Sequence, residues 1–114
     1  MDIRIVEDTI SVDDLQEIAK EFYYPMVKGA VDIQKEVVAF GGEYHMDANN
    51  VLVEFGSTQE DVWGFNLYLD RTKDDWIEYT ALINIRPINK NSAMEIEDSG
   101  LRSKMKSIID SKII

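Results

Sequence analysis

The chain has 114 residues, of which 22 are acidic and 12 basic, so its formal net charge at pH 7 is −10. Such a surface repels phosphate backbones, which argues against nucleic-acid binding. No cysteine is present, which excludes a disulfide framework, thiol catalysis and a thiolate metal site and fits a reducing compartment.

The N-terminal residues predict a short strand. Ile3 to Val6 form an apolar run that suits an edge or terminal strand. The same segment lacks the basic start and long apolar stretch of a secretory signal, and no run approaches the ~20 apolar residues of a membrane-spanning helix. We therefore expect a soluble cytoplasmic protein that makes no membrane contact and folds as a single domain over residues 1–114.

A helix is predicted after this strand. Ser11 has the chemistry of an N-cap residue, and the acidic residues that follow it suit the positive end of the helix dipole. Pro25 is expected to end the helix, because the residue before a proline is pushed out of the helical region. The predicted apolar stripe comprises Val12, Leu15, Ile18, Ala19 and Phe22.

A first hairpin is predicted next. Side chains alternate with a period of two over Val27–Ile33, and the run Val37–Phe40 supplies an antiparallel partner after a polar connection. Gly41 and Gly42 follow, which indicates a turn, a bulge or a close backbone approach.

Residues 45–56 allow two interpretations. Asp47 suits the cap of a short helix closed by Gly56. Residues 51–55 are also rich in β-formers and would serve as a strand after a turn at residues 49–50. We favour the helix, with its inward face formed by Val51, Leu52 and Phe55.

Residues 61–87 carry the most regular pattern and predict a second, longer hairpin. Every second residue of the first arm is large and apolar, and the same period returns after a polar connection. Pairing Leu69 with Ile77 keeps both apolar sets on one face. These sets are Trp63, Phe65, Leu67 and Leu69, then Ile77, Tyr79, Ala81, Ile83 and Ile85.

The C-terminal part predicts a loop and a helix. The residues after Pro87 are polar and suit a surface loop, and the helix begins near Asp98 or Ser99. Its apolar stripe comprises Leu101, Met105, Ile108 and Ile109. The order of elements predicts an α+β fold, with a mainly antiparallel sheet of about five strands in two hairpins and two or three helices largely on one face.

The first candidate site surrounds the only histidine, His45. Its imidazole lies two residues from Asp47 and near Glu43, so it could act as a general base oriented by a carboxylate, or ligate a divalent metal. A single histidine is a sparse ligand set, and we predict no metal site and no cofactor. Asp47 is equally well explained as a helix cap.

The second candidate site is the polar face of the long hairpin. Its amide, hydroxyl and guanidinium groups suit a clamp for a carboxylate or phosphate. The alternative is a solvated sheet face on which the arginine pairs with Glu60. The residues concerned are Asn66, Thr80, Asn84 and Arg86. Because Asn84 lies within an apolar strand pattern, its amide must find partners if it is covered.

The last helix gathers most of the positive charge near the C-terminus. Its cations could meet an acidic partner or an RNA, or they form the solvated face of the helix and suit the negative end of its dipole. They are Arg102, Lys104, Lys106 and Lys112.

Several short motifs resemble those of a family of small prokaryotic proteins catalogued as a domain of unknown function. They are Gly41-Gly42-Glu43 with His45 and Asp47, Gly56-Ser57 with Gln59 and Asp61, Trp63-Gly64-Phe65-Asn66, and Ile83-Asn84-Ile85-Arg86-Pro87. The resemblance spans nearly the whole chain. It implies a bacterial or archaeal single-domain protein and brings no activity with it.

Three functional hypotheses follow. The leading one is a non-catalytic domain that binds a protein partner, a second copy or a small anionic ligand, with Tyr23, Tyr24 and Trp76 as contact residues unless they belong to the core. The alternative is a small enzyme with His45 as base, Asp47 or Glu43 orienting it, and the Asn66, Asn84 and Arg86 cluster holding the substrate. A second alternative is RNA contact through the last helix.

Overall fold

The structure, a computed structural model, describes all 114 residues and places five strands in one antiparallel sheet. The strands are β1 (Arg4–Val6), β2 (Met26–Asp32), β3 (Val37–Phe40), β4 (Val62–Tyr68) and β5 (Ile77–Glu78). The helices are α1 (Val12–Ala19), α2 (His45–Phe55) and α3 (Ser99–Lys112). The order of strands across the sheet is β1-β3-β2-β4-β5. The predicted α+β fold with two hairpins is confirmed.

The sheet is covered on both faces, but unequally. The larger cluster lies under α1 and α3, where Leu15 and Met105 pack with Phe40 and Phe65 of the sheet. The smaller cluster lies on the opposite face, where α2 supplies Ala48 and Leu52 and the sheet supplies Ala30, Ala39 and Val62. Two helices therefore share one face, as predicted, and α2 alone packs on the other.

Helix α1 begins as predicted and ends early. The hydroxyl of Ser11 accepts a hydrogen bond from the backbone N–H of Asp14 at 3.1 Å. The helix stops at Ala19, because the next N–H groups bond three residues back, Glu21 to Ile18 and Phe22 to Ala19. The placement of Phe22 on the buried stripe was wrong, since its side chain is 42% exposed.

Helix α2 settles the two interpretations of residues 45–56 in favour of the helix. It begins at His45 and closes at Gly56, whose φ of 122° suits glycine. The carboxylate of Asp47 accepts hydrogen bonds from the backbone N–H groups of Glu43 and Tyr44, at 3.1 and 2.9 Å. Of the residues predicted to face inward, Leu52 does, but Phe55 is 47% exposed.

The long hairpin keeps its first strand and loses most of its second. The structure pairs Leu67 with Ile77, so the predicted register of Leu69 with Ile77 was wrong by two residues. A shift of two preserves the faces, and Trp63 and Phe65 still point into the larger cluster. Ile83, predicted on the same face, instead packs with the smaller cluster under α2.

The second strand ends early because its continuation pairs elsewhere. The chain after Glu78 turns toward residues 94–96, where the N–H of Ile96 bonds to Tyr79 O at 2.9 Å and the N–H of Ala81 bonds to Met94 O at 3.1 Å. Residues Leu82–Asn84 then form a 3₁₀ turn. The alternating pattern of residues 79–85 is therefore not the pattern of one strand.

Side chains complete the edge of β4 that this departure leaves open. The amide of Asn84 accepts from Gly64 N at 2.8 Å and donates to Gly64 O at 3.0 Å, as a neighbouring strand would. The guanidinium of Arg86 donates to the carbonyl of Val62. The backbone groups of Gly64 and the carbonyl of Val62 are therefore hydrogen-bonded at this edge, because a side-chain amide and a guanidinium take the place of a neighbouring strand.

The chain crosses closely over Gly64 on the α2 face. A Cβ at this position would lie 2.6 Å from the Cβ of Ala81 and 3.0 Å from the side chain of Ile83. Only glycine permits this approach without a shift of the backbone. Residues 81–83 consequently lie over the sheet and form one wall of a cavity.

We predict that Asn84→Ala lowers the free energy of unfolding by about 2–4 kcal/mol, because it leaves both buried backbone groups of Gly64 without partners. Urea unfolding measures the loss. The matched control is Asn89→Ala at an exposed position, for which we expect a change below about 0.5 kcal/mol. Equal losses in the two variants would contradict this account of the β4 edge.

Candidate functional site

A cavity of about 620 Å³ lies on the sheet face that carries α2. Its volume falls within the range of about 300–1,000 Å³ that is typical of small-molecule sites. Apolar side chains form most of the wall: Met26, Met46, Met94, Ala81, Leu82 and Ile83. The remaining lining residues are Tyr44 and four polar ones, Lys28, His45, Asn66 and Thr80.

A hydrogen-bond chain fixes the imidazole of His45 at the first position of α2. Its Nε2 lies 3.1 Å from the carbonyl oxygen of Phe65 and 2.7 Å from Oδ1 of Asn66. Since the carbonyl can only accept, Nε2 carries the proton and donates. The amide of Asn66 is oriented from its other side, where Nδ2 donates to Glu78 Oε1 at 2.7 Å.

The opposite ring nitrogen of His45 is left without a partner. Nδ1 makes no hydrogen bond within the protein, yet it is not buried, because the only buried side-chain nitrogen or oxygen without a hydrogen bond is Trp63 Nε1. Nδ1 of His45 therefore reaches solvent. Burial of the imidazole lowers the pKa of His45, the hydrogen bond to Asn66 opposes this effect, and the charge of Lys28 reinforces it. The ring is therefore neutral at pH 7, with Nδ1 as a hydrogen-bond acceptor.

Lys28 is the cation of the cavity, and it has no acidic partner. Register places it opposite Asn66 across β2 and β4, and its ammonium lies 4.4 Å from the ring centroid of Tyr23 and 5.8 Å from that of Tyr44. Five cationic side chains are half-buried. The other four donate to protein oxygens: Arg86, Arg102, Lys106 and Lys112. Lys28 alone among them makes no hydrogen bond or salt bridge.

Only two of the four residues of the predicted anion clamp line the cavity. Asn66 and Thr80 line the cavity beside His45. Asn84 is completely buried against Gly64. Arg86 lies over the ring of Trp63, 4.4 Å from its centroid, and donates to the carbonyls of Ile83 and Glu60. The last two residues therefore serve the sheet edge and do not reach the cavity.

The carboxylates near His45 do not orient it. Asp47 is occupied as the cap of α2, and Asn66 takes the place that was predicted for Asp47 or Glu43. No group of three or more histidine, aspartate or glutamate side chains is arranged to hold a metal ion.

The aromatic residues predicted as contact area separate into two groups. Trp76 belongs to the core, since it is 7% exposed and its Nε1 donates to Asp110 Oδ1 at 3.0 Å. Tyr23 and Tyr24 are exposed, and Tyr23 flanks Lys28 beside the cavity. Only the tyrosines remain candidates for contact with a partner.

Three of the four cations on the last helix are engaged within the protein. Arg102 pairs with Glu95, Lys106 with Asp110 at 2.9 Å, and Lys112 donates to Glu7 O at 2.8 Å. Lys104 is exposed. RNA contact through this helix stays a prediction. None of the helices combines the length and the apolar composition that crossing a bilayer requires.

Lys28 lines the cavity and was not among the residues predicted for a site. The only signal for it was the alternation in β2, which sets Lys28 on the face opposite the apolar residues. A lone lysine at such a position usually indicates a solvated strand face.

Comparison with known families gave one match. A family model described as "Protein of unknown function (DUF5674)" matches residues 4–112. Neither the curated proteins nor the solved structures contain a match to the chain. The predicted resemblance to a family without an assigned activity is confirmed, and the prokaryotic origin stays a prediction.

We predict that His45 makes stability depend on pH below its ordinary pKa of 6.5. Because folding lowers this pKa, the neutral ring contributes fully above pH 6.5, and the contribution is lost as the pH falls toward the folded-state pKa. Urea unfolding at pH values between about 7.5 and 5.5 measures it. In His45→Gln, whose amide donates in place of Nε2, we expect this part of the dependence to vanish.

The difference in unfolding free energy between the two proteins isolates the histidine from the many carboxylates, which titrate in both. A difference that is constant over this range would contradict the prediction.

Proposed function

We propose that this chain, which belongs to the family described as "Protein of unknown function (DUF5674)", is a small-ligand-binding domain. The ligand is an organic anion with an apolar body. Membership of the family assigns no activity, so the proposal rests on the cavity beneath residues 81–83.

The observation that carries the proposal is the unpaired ammonium of Lys28 beside an apolar wall. No protein atom accepts a hydrogen bond from this ammonium, so an anion in the cavity would supply a charge-assisted partner that the protein itself does not provide. The ring of Tyr23, 4.4 Å away, holds the ammonium beside the cavity through its π-face. In a chain with 22 acidic residues, a half-buried lysine left without a carboxylate favours a site for an external anion.

The apolar wall supports a ligand with a hydrophobic body. Met46 is 48% exposed, Met94 44% and Leu82 71%. Methionine side chains are flexible and polarizable, so they adapt to ligands of different shape. A ligand that covers this wall gains hydrophobic free energy, and Lys28 determines which end of the ligand lies at the charge.

Binding is favoured over catalysis by the way in which His45 is held. In the enzyme hypothesis a carboxylate orients the base and Arg86 holds the substrate. In the structure Asp47 caps a helix and Arg86 bonds to backbone carbonyls. The contact with Asn66 instead orients a neutral imidazole, and this supports a role for His45 in ligand recognition.

We predict that the fluorescent anion 8-anilinonaphthalene-1-sulfonate binds the cavity more tightly than neutral N-phenyl-1-naphthylamine, which has the same aromatic body. Lys28→Met should weaken the anion about tenfold, equivalent to about 1.4 kcal/mol, because it removes the one cation at the site. The neutral probe should change by less than about twofold. Fluorescence titration measures both affinities.

The matched control is Lys104→Met, which removes the same charge from an exposed position on α3. We expect this variant to bind both probes as the unmodified protein does. If the two lysine variants weaken the anion equally, or if neither probe binds, the proposed function is wrong.

A further inference from the structure

The polar groups of the cavity have unequal freedom to adapt to a ligand. The ammonium of Lys28 can only donate, and the amide of Asn66 is already engaged with His45 and Glu78. The hydroxyl of Thr80 can rotate to donate or to accept. Among the polar side chains that line the cavity, His45 is therefore the one whose free nitrogen, Nδ1, is fixed as an acceptor.

The fixed role of Nδ1 comes from three hydrogen bonds, two of which meet at Nε2. Glu78 accepts from the Asn66 amide at 2.7 Å, which turns the amide oxygen toward His45 at 2.7 Å. The Phe65 carbonyl accepts from the same Nε2 at 3.1 Å. To present a proton on Nδ1 while neutral, the ring would have to lose both acceptors at Nε2.

We infer that the ligand of this cavity is a hydroxylated organic anion, whose carboxylate or equivalent group pairs with Lys28 and whose hydroxyl or N–H group donates to Nδ1 of His45. This inference rests on the proposed function and specifies its ligand class. It makes His45 the residue that determines specificity.

The physical basis is the cost of covering an acceptor without replacing its hydrogen bond to water. A ligand that fills the cavity and brings no donor desolvates Nδ1 and leaves it unpaired. A ligand with a donor in reach restores the bond. Sites that are built around such a bond reject analogues that lack the donor more strongly than apolar walls discriminate size.

The test compares three kinds of naphthalene carboxylate on the full chain: 2-naphthoate, isomers with a hydroxyl remote from the carboxylate, and the methoxy ethers of those isomers. Affinities are measured by displacement of the fluorescent sulfonate. At least one hydroxy isomer should bind about threefold to tenfold more tightly than 2-naphthoate. Its methoxy ether, which keeps the oxygen and loses the donor, should not show this gain.

His45→Phe keeps a planar ring and removes the acceptor, so the gain of the hydroxy isomer should disappear while 2-naphthoate still binds. A second measurement requires no variant. Because the chain has one histidine, ¹⁵N labelling of histidine gives two ring resonances that are assigned without ambiguity. They should report a proton on Nε2 in the free protein, and the Nδ1 resonance should shift with the hydroxy isomer and not with its ether.

Failure of the ligand class and failure of the proposed function give different results in these titrations. If 2-naphthoate binds in a Lys28-dependent manner and no hydroxy isomer gains affinity, the ligand class is wrong and the proposed function stands. A proton on Nδ1 in the free protein also overturns the inference. If no naphthoate binds and the sulfonate fails as well, both are wrong.

Discussion

Much of this architecture follows from a single side-chain amide. Asn84 bonds to both backbone groups of Gly64 and so occupies the edge of β4 where a paired strand would otherwise continue. The backbone carbonyl of Asn84 accepts from the side-chain amide of Asn91 at 2.8 Å. Because the edge is satisfied in this way, residues 79–81 are free to pair with residues 94–96 instead.

The cavity is a consequence of that departure. The crossing at Ala81 places residues 81–83 above the sheet, and the start of α2 closes the opposite side with Tyr44 and His45. Between them, β2 and β4 supply a floor that carries Lys28 and Asn66. The cavity thus combines an apolar wall with a donor and an acceptor that the protein itself does not pair, a combination that suits recognition of a small polar-ended molecule.

The sequence predicted those parts of the fold that follow from local periodicity. Alternation predicted β2 and β4, and an apolar run after a polar connection predicted β3. Helices α2 and α3 were predicted from their capping and spacing, because these signals are local in the sequence. The path of the chain after β5 was not predicted, since residues 79–85 also alternate and alternation does not show which segment they pair with. Residues 79–81 pair with residues 94–96, and no local sequence pattern marks these two segments as partners.

Of the candidate site, the sequence predicted the side chains whose position follows from alternation and not the contacts that they make. Alternation correctly set Asn66 and Thr80 on the face opposite the main core, and that face carries the cavity. Arg86 was assigned to a ligand because a guanidinium suits anions, whereas its partners are backbone carbonyls that no sequence pattern marks. Lys28 was not predicted, because the lack of an acidic partner for a lysine is visible only in the three-dimensional arrangement.

The methionines allow the position of a bound anion to be determined in solution. Of the five in the chain, Met26, Met46 and Met94 line the cavity, whereas Met1 lies at the exposed terminus and Met105 in the core on the opposite face. With ¹³C-labelled methionine methyl groups, binding of the anilinonaphthalene sulfonate should shift the three cavity resonances and leave the other two unchanged. If the sulfonate binds and the cavity methionines do not move, or if Met105 moves as far as they do, the ligand lies elsewhere and the account is wrong.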